Sequence, residues 1–133
     1  MAMIWRAGLL AVALVGCAWF ALGAHQAVDT NRAATLIGGA SLRPSQARQA
    51  GSLLNSAGTL NPDLTPDILR GQLALQRHRY AIGLRELETV ARREPLNLQA
   101  WSALAFGAAR AGDHATLVRA ARHVSTLFPK LPR

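Results

Sequence analysis

The sequence is poor in the residues on which most enzymes and metalloproteins depend. Cys17 is the only cysteine, so no disulfide can form within the chain, and the four histidines are scattered without ligand spacing. Phosphate-binding glycine loops, HExxH pairs and GxSxG elbows are all missing. We therefore expect no enzyme activity, no catalytic residues, no metal site and no cofactor.

Acidic residues are also scarce: the chain has seven acidic and fifteen basic residues, which gives a net charge of +8. The basic residues are spread along the chain, and Arg85, Glu88 and Arg92 are helical neighbours that partly neutralise one another. Aromatic residues are too few for a base-stacking platform, so nucleic acid is not an expected partner. The pattern favours a solvated surface, with anionic lipid headgroups or acidic envelope polymers as the alternative.

Formal charge is absent from one long stretch near the N-terminus. Residues 7–24 are 18 apolar or small residues, which is about the least that can span a bilayer as a helix. Trp5 lies at one edge of this run, and Trp19 with Phe20 lies nearer the other, as in an aromatic belt. We predict an N-terminal segment 1–27 that contains a transmembrane helix over about 7–24 and contacts membrane lipid.

Three fates of this segment are open. A retained single-pass anchor is favoured, because the apolar run continues past a short signal core. A cleavable secretion signal would use Arg6 and a cleavage site near Gly23, and Leu14 to Cys17 resembles a bacterial lipoprotein processing box. Arg6 precedes the run, which predicts a cytoplasmic N-terminus and an extracytoplasmic remainder. The alternative is a secreted or lipid-anchored protein, and all three fates place the remainder outside the cytoplasm.

Prolines mark a period in the rest of the chain. Pro62, Pro95 and Pro129 stand 33 and 34 residues apart, and a proline punctuates a helix because it cannot donate to the helical ladder. The period is typical of stacked helical hairpins and predicts an all-α fold. Superposing the units on their prolines aligns small residues at one position and apolar residues at two others: Gly38, Gly71 and Ala105; Leu54, Leu87 and Ala121; Ala57, Val90 and Val124.

The helices of each unit follow from apolar spacing. Pro95 is expected to open a helix that buries Leu98, Trp101, Leu104, Ala105 and Ala108. Gly112 and Asp113 form a turn and cap, and the second helix carries Leu117, Val118, Ala121, Val124 and Phe128. In the second unit, Thr65 is predicted to cap the first helix. In the first unit, Ser45 is predicted to cap a helix whose Ala50, Leu54 and Ala57 point inward, and its partner helix over about 28–39 ends at two glycines.

These residues resemble the tetratricopeptide repeat family. Trp101-x-x-Leu104-Ala105, Gly112-Asp113 at the turn and Pro129 at the end match its pattern, although Ala105 replaces the usual glycine and His78 replaces the turn glycine of the preceding unit. The resemblance implies a right-handed helical-hairpin array of about 2.5–3 repeats, with a degenerate unit over 28–62, a second over 63–95 and a third over 96–133. A generic helical hairpin array is the alternative.

In that family the first helices of the units line a concave groove that holds a partner segment. Carried over by phase, the resemblance implies a groove lined by Arg32, Thr35, Gln72, Gln76, Gln99, Ser102, Phe106 and Arg110. Glutamine and serine offer hydrogen bonds to an extended backbone, Phe106 an apolar anchor and Arg110 a site for a carboxylate. The alternative is a solvated polar face in which Phe106 packs locally.

The end of the sequence suggests a second surface. Helical arrays usually finish with a polar helix that shields the last unit, and the residues after Pro129 are too few for one. We therefore expect a docking surface for a protein partner or a second copy at Leu117, Val118, Ala121, Val124 and Phe128. The favoured function is a membrane-tethered protein interaction module in bacterial envelope assembly or export. The alternative is an accessory subunit that pairs with a multi-span protein, or with itself, through Ala13, Cys17 and Ala21.

Overall fold

The described part of the chain folds entirely into helices. The structure is a computed structural model that describes residues 2–39, 42–58 and 63–128, with side chains described from residue 12. No strand occurs in these ranges, so the predicted all-α class is confirmed. Pro62 and Pro129, two of the three periodic prolines, lie outside them, as does the side chain of Trp5. The helices are α1 (Ala2–Ile37), α2 (Pro44–Gly58), α3 (Thr65–Gln76), α4 (Tyr80–Arg93), α5 (Leu98–Ala111) and α6 (His114–Leu127).

The first helix joins the predicted membrane span to the predicted helix over 28–39. α1 is continuous, and its part Val12–Ile37 is long and apolar enough to cross a membrane by length and composition. Side chains from 12 to 25 are exposed, whereas burial begins at Gln26 and continues through Asp29, Ala33 and Ile37. These four residues share one face at three- and four-residue spacing. One half of α1 is therefore uncovered, and the other half packs into the array.

The helices form antiparallel pairs that stack side by side. α1 packs on α2, α3 on α4 and α5 on α6, while α2 contacts α3 and α4 contacts α5. The Gln76 side-chain nitrogen donates to the Ile37 carbonyl at 2.5 Å, which brings the C-terminal ends of α1 and α3 together. A Cβ atom built on Gly107 would lie 2.6 Å from Leu75 Cδ1, so the end of α5 lies beside the end of α3. The three odd-numbered helices therefore run parallel.

This topology gives the array two different ends. We call the end with residues 38–39 and the turns 77–79 and 112–113 the distal end. The opposite end, with residues 63–64, the loop 94–97 and the last turn of α6, is the basal end. The uncovered half of α1 enters the array at the basal end, because the first buried residue of α1 is Gln26 and its last is Ile37.

The core consists of two clusters that meet at α3. One lies between α1, α2 and α3, and it includes Ala33, Ala47, Ala50 and Leu54. The other lies between α3 and α6 and contains most of the large buried side chains: Leu64, Ile68, Leu75, Leu87, Val90, Trp101 and Leu104. The predicted inward residues Ala50, Leu54 and Ala57 are fully buried.

The predicted phase is wrong at two apolar positions. Leu98 is 36% exposed, because it is the first residue of α5 and lies at the edge of the array. In α6 the buried residue is Ala120, and the predicted Ala121 is exposed. Within the described residues the backbone of α6 lies against that of α5, and Arg119 adds an ion pair with Glu88 of α4, so mainly the side that faces α5 is covered. Gly38 follows the last residue of α1, so this helix ends at the two glycines as predicted.

Three predicted helix starts also differ from the structure. α2 begins at Pro44, so Ser45 lies inside the helix, and Gln46 Oε1 accepts from the Arg43 backbone N–H at 3.0 Å. Thr65 is the first residue of α3, and its N–H donates to Asp63 Oδ1 at 3.0 Å. α5 begins after Pro95, at Leu98, and the Asn97 side chain caps it by accepting from the Ala100 N–H. In each case a polar side chain nearby satisfies backbone groups at the helix end.

The two turns at the distal end share one backbone conformation. His78 has a φ of 57° and Gly112 a φ of 74°, both in the left-handed region. Glycine adopts this conformation without strain, whereas a side chain with a Cβ atom makes it costly. Asp113 caps α6 as predicted, since its Oδ1 accepts from the Thr116 N–H at 3.0 Å.

Candidate partner-binding groove

A groove runs along α1, α3 and α5, from Gln99 near the start of α5 to Arg110 near its distal end. Its volume is about 730 Å³, which is within the range of sites that hold a ligand or a peptide side chain. Its lining comes from the C-terminal parts of α1 and α3, from α5, and from the chain that leaves α1: Ala34, Ile37, Gly38, Gly39, Leu42, Leu69, Gln72, Leu75, Gln76, Gln99, Ala103, Phe106 and Arg110.

The structure brings together most of the predicted groove residues. Gln72 and Gln76 of α3 line the same space as three residues of α5, namely Gln99, Phe106 and Arg110. The α5 residues share one face of the helix, because Gln99, Ala103, Phe106 and Arg110 follow one another at three- and four-residue spacing. Five of the eight residues predicted to line the groove therefore share one concave surface.

Three other predicted residues do not line this space. Ser102 is exposed on α5 but does not belong to the groove. Arg32 and Thr35 are exposed on α1, whereas Ala34 and Ile37 form the α1 side of the groove. The wall from α1 is therefore apolar, and the predicted polar contribution from this helix is wrong.

The chain between α1 and α2 contributes a part of the groove that periodic reasoning missed. Gly38, Gly39 and Leu42 line it where α1 ends. This segment follows no helical period, so alignment of the repeats could not reveal it. The Gly38-Gly39 pair was nevertheless a visible signal, since two glycines end a helix and let other groups approach the backbone closely.

Gln76 connects two walls of the groove. Its side-chain nitrogen donates to the Ile37 carbonyl, which can only accept, and this fixes the orientation of the amide. Its Oε1 is buried and has no hydrogen-bond partner in the described part of the chain. Gln76 thus satisfies one free carbonyl at the end of α1 while leaving its own acceptor unpaired, so the junction between α1 and α3 is a less stable contact than an apolar one.

Arg110 and Phe106 form the α5 side of the groove. Phe106 is 61% exposed, and the guanidinium carbon of Arg110 lies 5.7 Å from the centre of its ring. Arg110 makes no ion pair within the described residues, and no carboxylate side chain lines the groove. The groove therefore combines an apolar floor, three side-chain amides and one uncompensated positive charge. Such a surface can hold an extended polypeptide through amide hydrogen bonds and can attract a carboxylate.

The predicted docking surface of α6 is divided into parts. Val118 is 58% exposed and Ala121 is also exposed, while Leu117 and Val124 are half-buried. Val124 packs against the larger core cluster, so it does not belong to an open surface. Phe128 is 71% exposed, but it follows the last residue of α6 and lies at the basal end. The uncovered apolar surface of α6 is thus smaller than predicted and separate from Phe128.

Among the described side chains, no group of three or more His, Cys, Asp or Glu residues is placed to hold a metal ion. Cys17 is exposed on the uncovered half of α1. No known protein family, curated protein or solved structure matches the chain. The groove is therefore interpreted from its own chemistry.

Proposed function

We propose that the protein is a membrane-tethered interaction module whose groove between α1, α3 and α5 binds an extended segment of a protein partner. The observation that carries the proposal is the convergence of Gln72, Gln76, Gln99, Phe106 and Arg110 on one concave surface. The repeat pattern around Trp101 and Gly112 supports an array of the tetratricopeptide type, in which the corresponding surface receives a partner peptide. In this proposal the stacked helical hairpins form a right-handed array.

The groove favours a partner segment with both apolar and acidic character. Phe106 and the apolar floor bury aliphatic or aromatic side chains, while the glutamine amides bond to an extended backbone. Arg110 is the only charged residue of the lining, and its guanidinium forms strong charge-assisted bonds with carboxylates. An extended segment that carries a carboxylate near an apolar side chain fits this combination.

The uncovered half of α1 supplies the tether. Because α1 is one helix, a span that ends near Ala24 leaves thirteen residues, 25–37, between the membrane and the groove. At about 1.5 Å per residue this segment is ~20 Å long. The groove would then face the aqueous phase, on the extracytoplasmic side by the charge pattern around Arg6. A role in bacterial envelope assembly or export fits this position.

A peptide library presented to the full chain in detergent tests this function. We expect enrichment of segments that combine acidic and apolar residues, with affinities in the micromolar range that a groove of this kind provides. Arg110→Gln should lower the affinity for acidic peptides by about tenfold or more, because it removes one charge-assisted bond. Phe106→Ala should lower the affinity for peptides with a large apolar residue.

Ser102→Ala is the matched control, because Ser102 is an exposed residue of α5 outside the groove. It should leave every affinity unchanged. If Ser102→Ala lowers the affinity for the peptides as much as Arg110→Gln does, or if the library yields no sequence preference, the groove is not the binding site.

A second candidate function is supported by the exposure of α1. Ala13, Cys17 and Ala21 recur every four residues and are all exposed, as a helix that pairs laterally in a membrane requires. In this case the protein is an accessory subunit of a multi-span membrane protein, or it associates with itself. Replacing residues 7–24 with an unrelated span distinguishes the two functions, because the groove function survives the replacement and the lateral function does not.

A further inference from the structure

The basal end carries the two most exposed large apolar side chains outside α1. Leu96 is 83% exposed in the loop between α4 and α5, and Phe128 is 71% exposed after α6. Exposure of a leucine and a phenylalanine to this extent is unfavourable in water. An isolated apolar residue on a surface is ordinary, but two such residues at one end of a small array indicate a contact.

Two contacts of Trp101 place Leu96 and Phe128 at the same end. The Trp101 indole nitrogen donates to the Pro95 carbonyl at 2.9 Å, which holds the loop that contains Leu96 against α5. The Trp101 ring also stacks on His123 of α6, with ring centres 4.0 Å apart. His123 lies about one turn before the end of α6 and the following Phe128. Trp101 therefore ties the exposed loop to the last turns of α6.

Basic side chains accompany these apolar residues. Arg92 and Arg93 are both exposed in the last turn of α4, and neither makes an ion pair within the described residues. The neighbouring Glu94 is partly buried, and its Oε2 accepts from the Asn97 side chain at 2.6 Å. Asp63 accepts from the Thr65 N–H and hydroxyl, and Asp67 in the first turn of α3 pairs with Arg70. These three carboxylates have partners, whereas Arg92 and Arg93 are exposed to solvent.

α1 determines what the basal end faces. The uncovered apolar half of α1 leaves the array at this end, since the packed residues begin at Gln26. If α1 spans a bilayer, the loop 94–97 and the end of α6 are on the side of the array that faces the lipid. The end of the groove at Gln76 and Arg110 is on the opposite side, at the distal end.

We propose that the basal end of the array docks on an anionic lipid surface. Leu96 and Phe128 enter the interfacial region, where apolar side chains are favoured, and Arg92 and Arg93 contact the lipid phosphates. The proposal rests on the membrane anchoring of the proposed function but not on the groove. Docking holds the array in one orientation relative to the bilayer, with the distal end, where Gln76 and Arg110 line the groove, pointing away from it.

Quenching by lipid-attached spin labels tests this arrangement on the full chain in lipid nanodiscs. A fluorophore is attached either to native Cys17 or, in a Cys17→Ala background, to single cysteines introduced by Leu96→Cys, Phe128→Cys or Ala109→Cys. Ala109 is an exposed residue near the distal end of α5 and is the matched control. We expect strong quenching at 17, substantial quenching at 96 and 128, and little at 109.

The lipid composition and two double variants test the charge contribution. In discs that contain phosphatidylglycerol, quenching at 96 and 128 should exceed that in pure phosphatidylcholine. Replacing Arg92 and Arg93 with glutamine should lower the ratio of docked to undocked molecules roughly 30-fold, since each basic residue near an anionic surface contributes about 1 kcal/mol. Replacing Arg77 and Arg79, which are exposed at the distal end, should not lower it.

The outcomes separate this proposal from the tether itself. Quenching at 17 without quenching at 96 and 128 overturns basal docking and leaves the anchor intact. Equal quenching at 96, 128 and 109 also overturns it, because the array would then lie on the lipid without a preferred end. Absence of quenching at all four positions contradicts the membrane anchor and basal docking together.

Discussion

The two halves of the array are stabilised by side chains of different size. Between α1, α2 and α3 the helices meet through three alanines together with Ile37, Leu54, Leu69 and Leu73, and Leu54 is the one of these four large side chains that is fully buried. Between α3 and α6 they meet through Trp101, Leu104, Leu87 and Ile68. Alanine lets helices approach closely but buries little apolar area, whereas a buried leucine stabilises the fold by about 1.5–3 kcal/mol. The free energy of unfolding should therefore come mostly from α3–α6.

This difference fits the two tasks of the halves. The first half connects the array to α1, which also has a large uncovered surface. The second half supplies Gln99, Phe106 and Arg110 to the groove. A binding surface needs side chains that a well-packed core holds in place. The large core residues between α3 and α6 lie beneath the groove side chains of α5, so they would hold these side chains in the geometry that a partner requires.

Trp101→Ala should have the largest effect on stability. The substitution leaves a cavity, removes the ring that stacks on His123 and leaves the Pro95 carbonyl without its donor. A loss of about 3–5 kcal/mol is expected from truncating a buried aromatic residue. Thermal unfolding in detergent measures it. Hydrogen exchange should show lost protection in α5 and α6 but retained protection in α2; equal loss in α2 would mean that the halves unfold as one unit.

Glycine-to-alanine substitutions should affect the two halves with opposite sign. A Cβ atom on Gly83 of α4 would lie 2.8 Å from the backbone oxygen of Gly71, which cannot move aside as a side chain can. Gly83→Ala should therefore destabilise by about 1–3 kcal/mol. The matched control is Gly51→Ala in α2, where the nearest atom is Leu73 Cδ2 at 4.0 Å.

Gly51→Ala should stabilise by up to about 1 kcal/mol, because alanine favours a helix interior over glycine. Denaturant titration of the two variants side by side gives both signs. If Gly83→Ala unfolds at the same denaturant concentration as the wild type, the close approach of α3 and α4 is wrong.

Replacing the residues of the distal turns should have a smaller effect. Gly112→Ala places a Cβ atom at a positive φ and should cost about 1 kcal/mol. His78→Gly removes the same strain from the other turn and should be neutral or slightly stabilising, although it also removes the 2.9 Å hydrogen bond between His78 Nδ1 and the Tyr80 hydroxyl. Differential scanning calorimetry compares the two midpoints. A lower midpoint for His78→Gly would mean that the bond to Tyr80 outweighs the strain.

The periodic part of this architecture could be predicted from the sequence, and its edges could not. The spacing of apolar residues located Leu54, Leu87 and Trp101 in the core, and the family resemblance, carried over at the same phase, implied that Gln76 and Arg110 line a groove. Such periodicity reports which face of a helix meets its neighbour. It fails where a neighbour is missing, so Ala121 was aligned with the buried Leu54 and Leu87 although Ala120 is the buried residue of α6.

The two surfaces with the fewest periodic residues were missed for a related reason. The Gly38, Gly39 and Leu42 side of the groove comes from a connection between helices, and the exposed Leu96 belongs to a loop. Connections carry no repeating pattern, so their position follows only from how the helices they join are packed. The cap of Asp113 was predictable because its signal is local, as aspartate after a glycine at a helix start accepts from backbone N–H groups.

That cap gives the smallest expected effect, a dependence of stability on pH. The hydrogen bond from the Thr116 backbone N–H, followed by one from its side chain, lowers the pKa of Asp113 below its ordinary value. A folded-state pKa below the unfolded one means that the carboxylate stabilises the fold above the unfolded pKa of about 3.9 and that this contribution disappears as the pH falls through the folded value. Asp113→Asn keeps a side-chain acceptor at the cap but cannot ionise. The wild type should therefore have the higher unfolding midpoint at neutral pH, and the difference from Asp113→Asn should shrink steadily in acid. A difference that stays constant from neutral pH to below pH ~3 would show that Asp113 contributes through its shape alone.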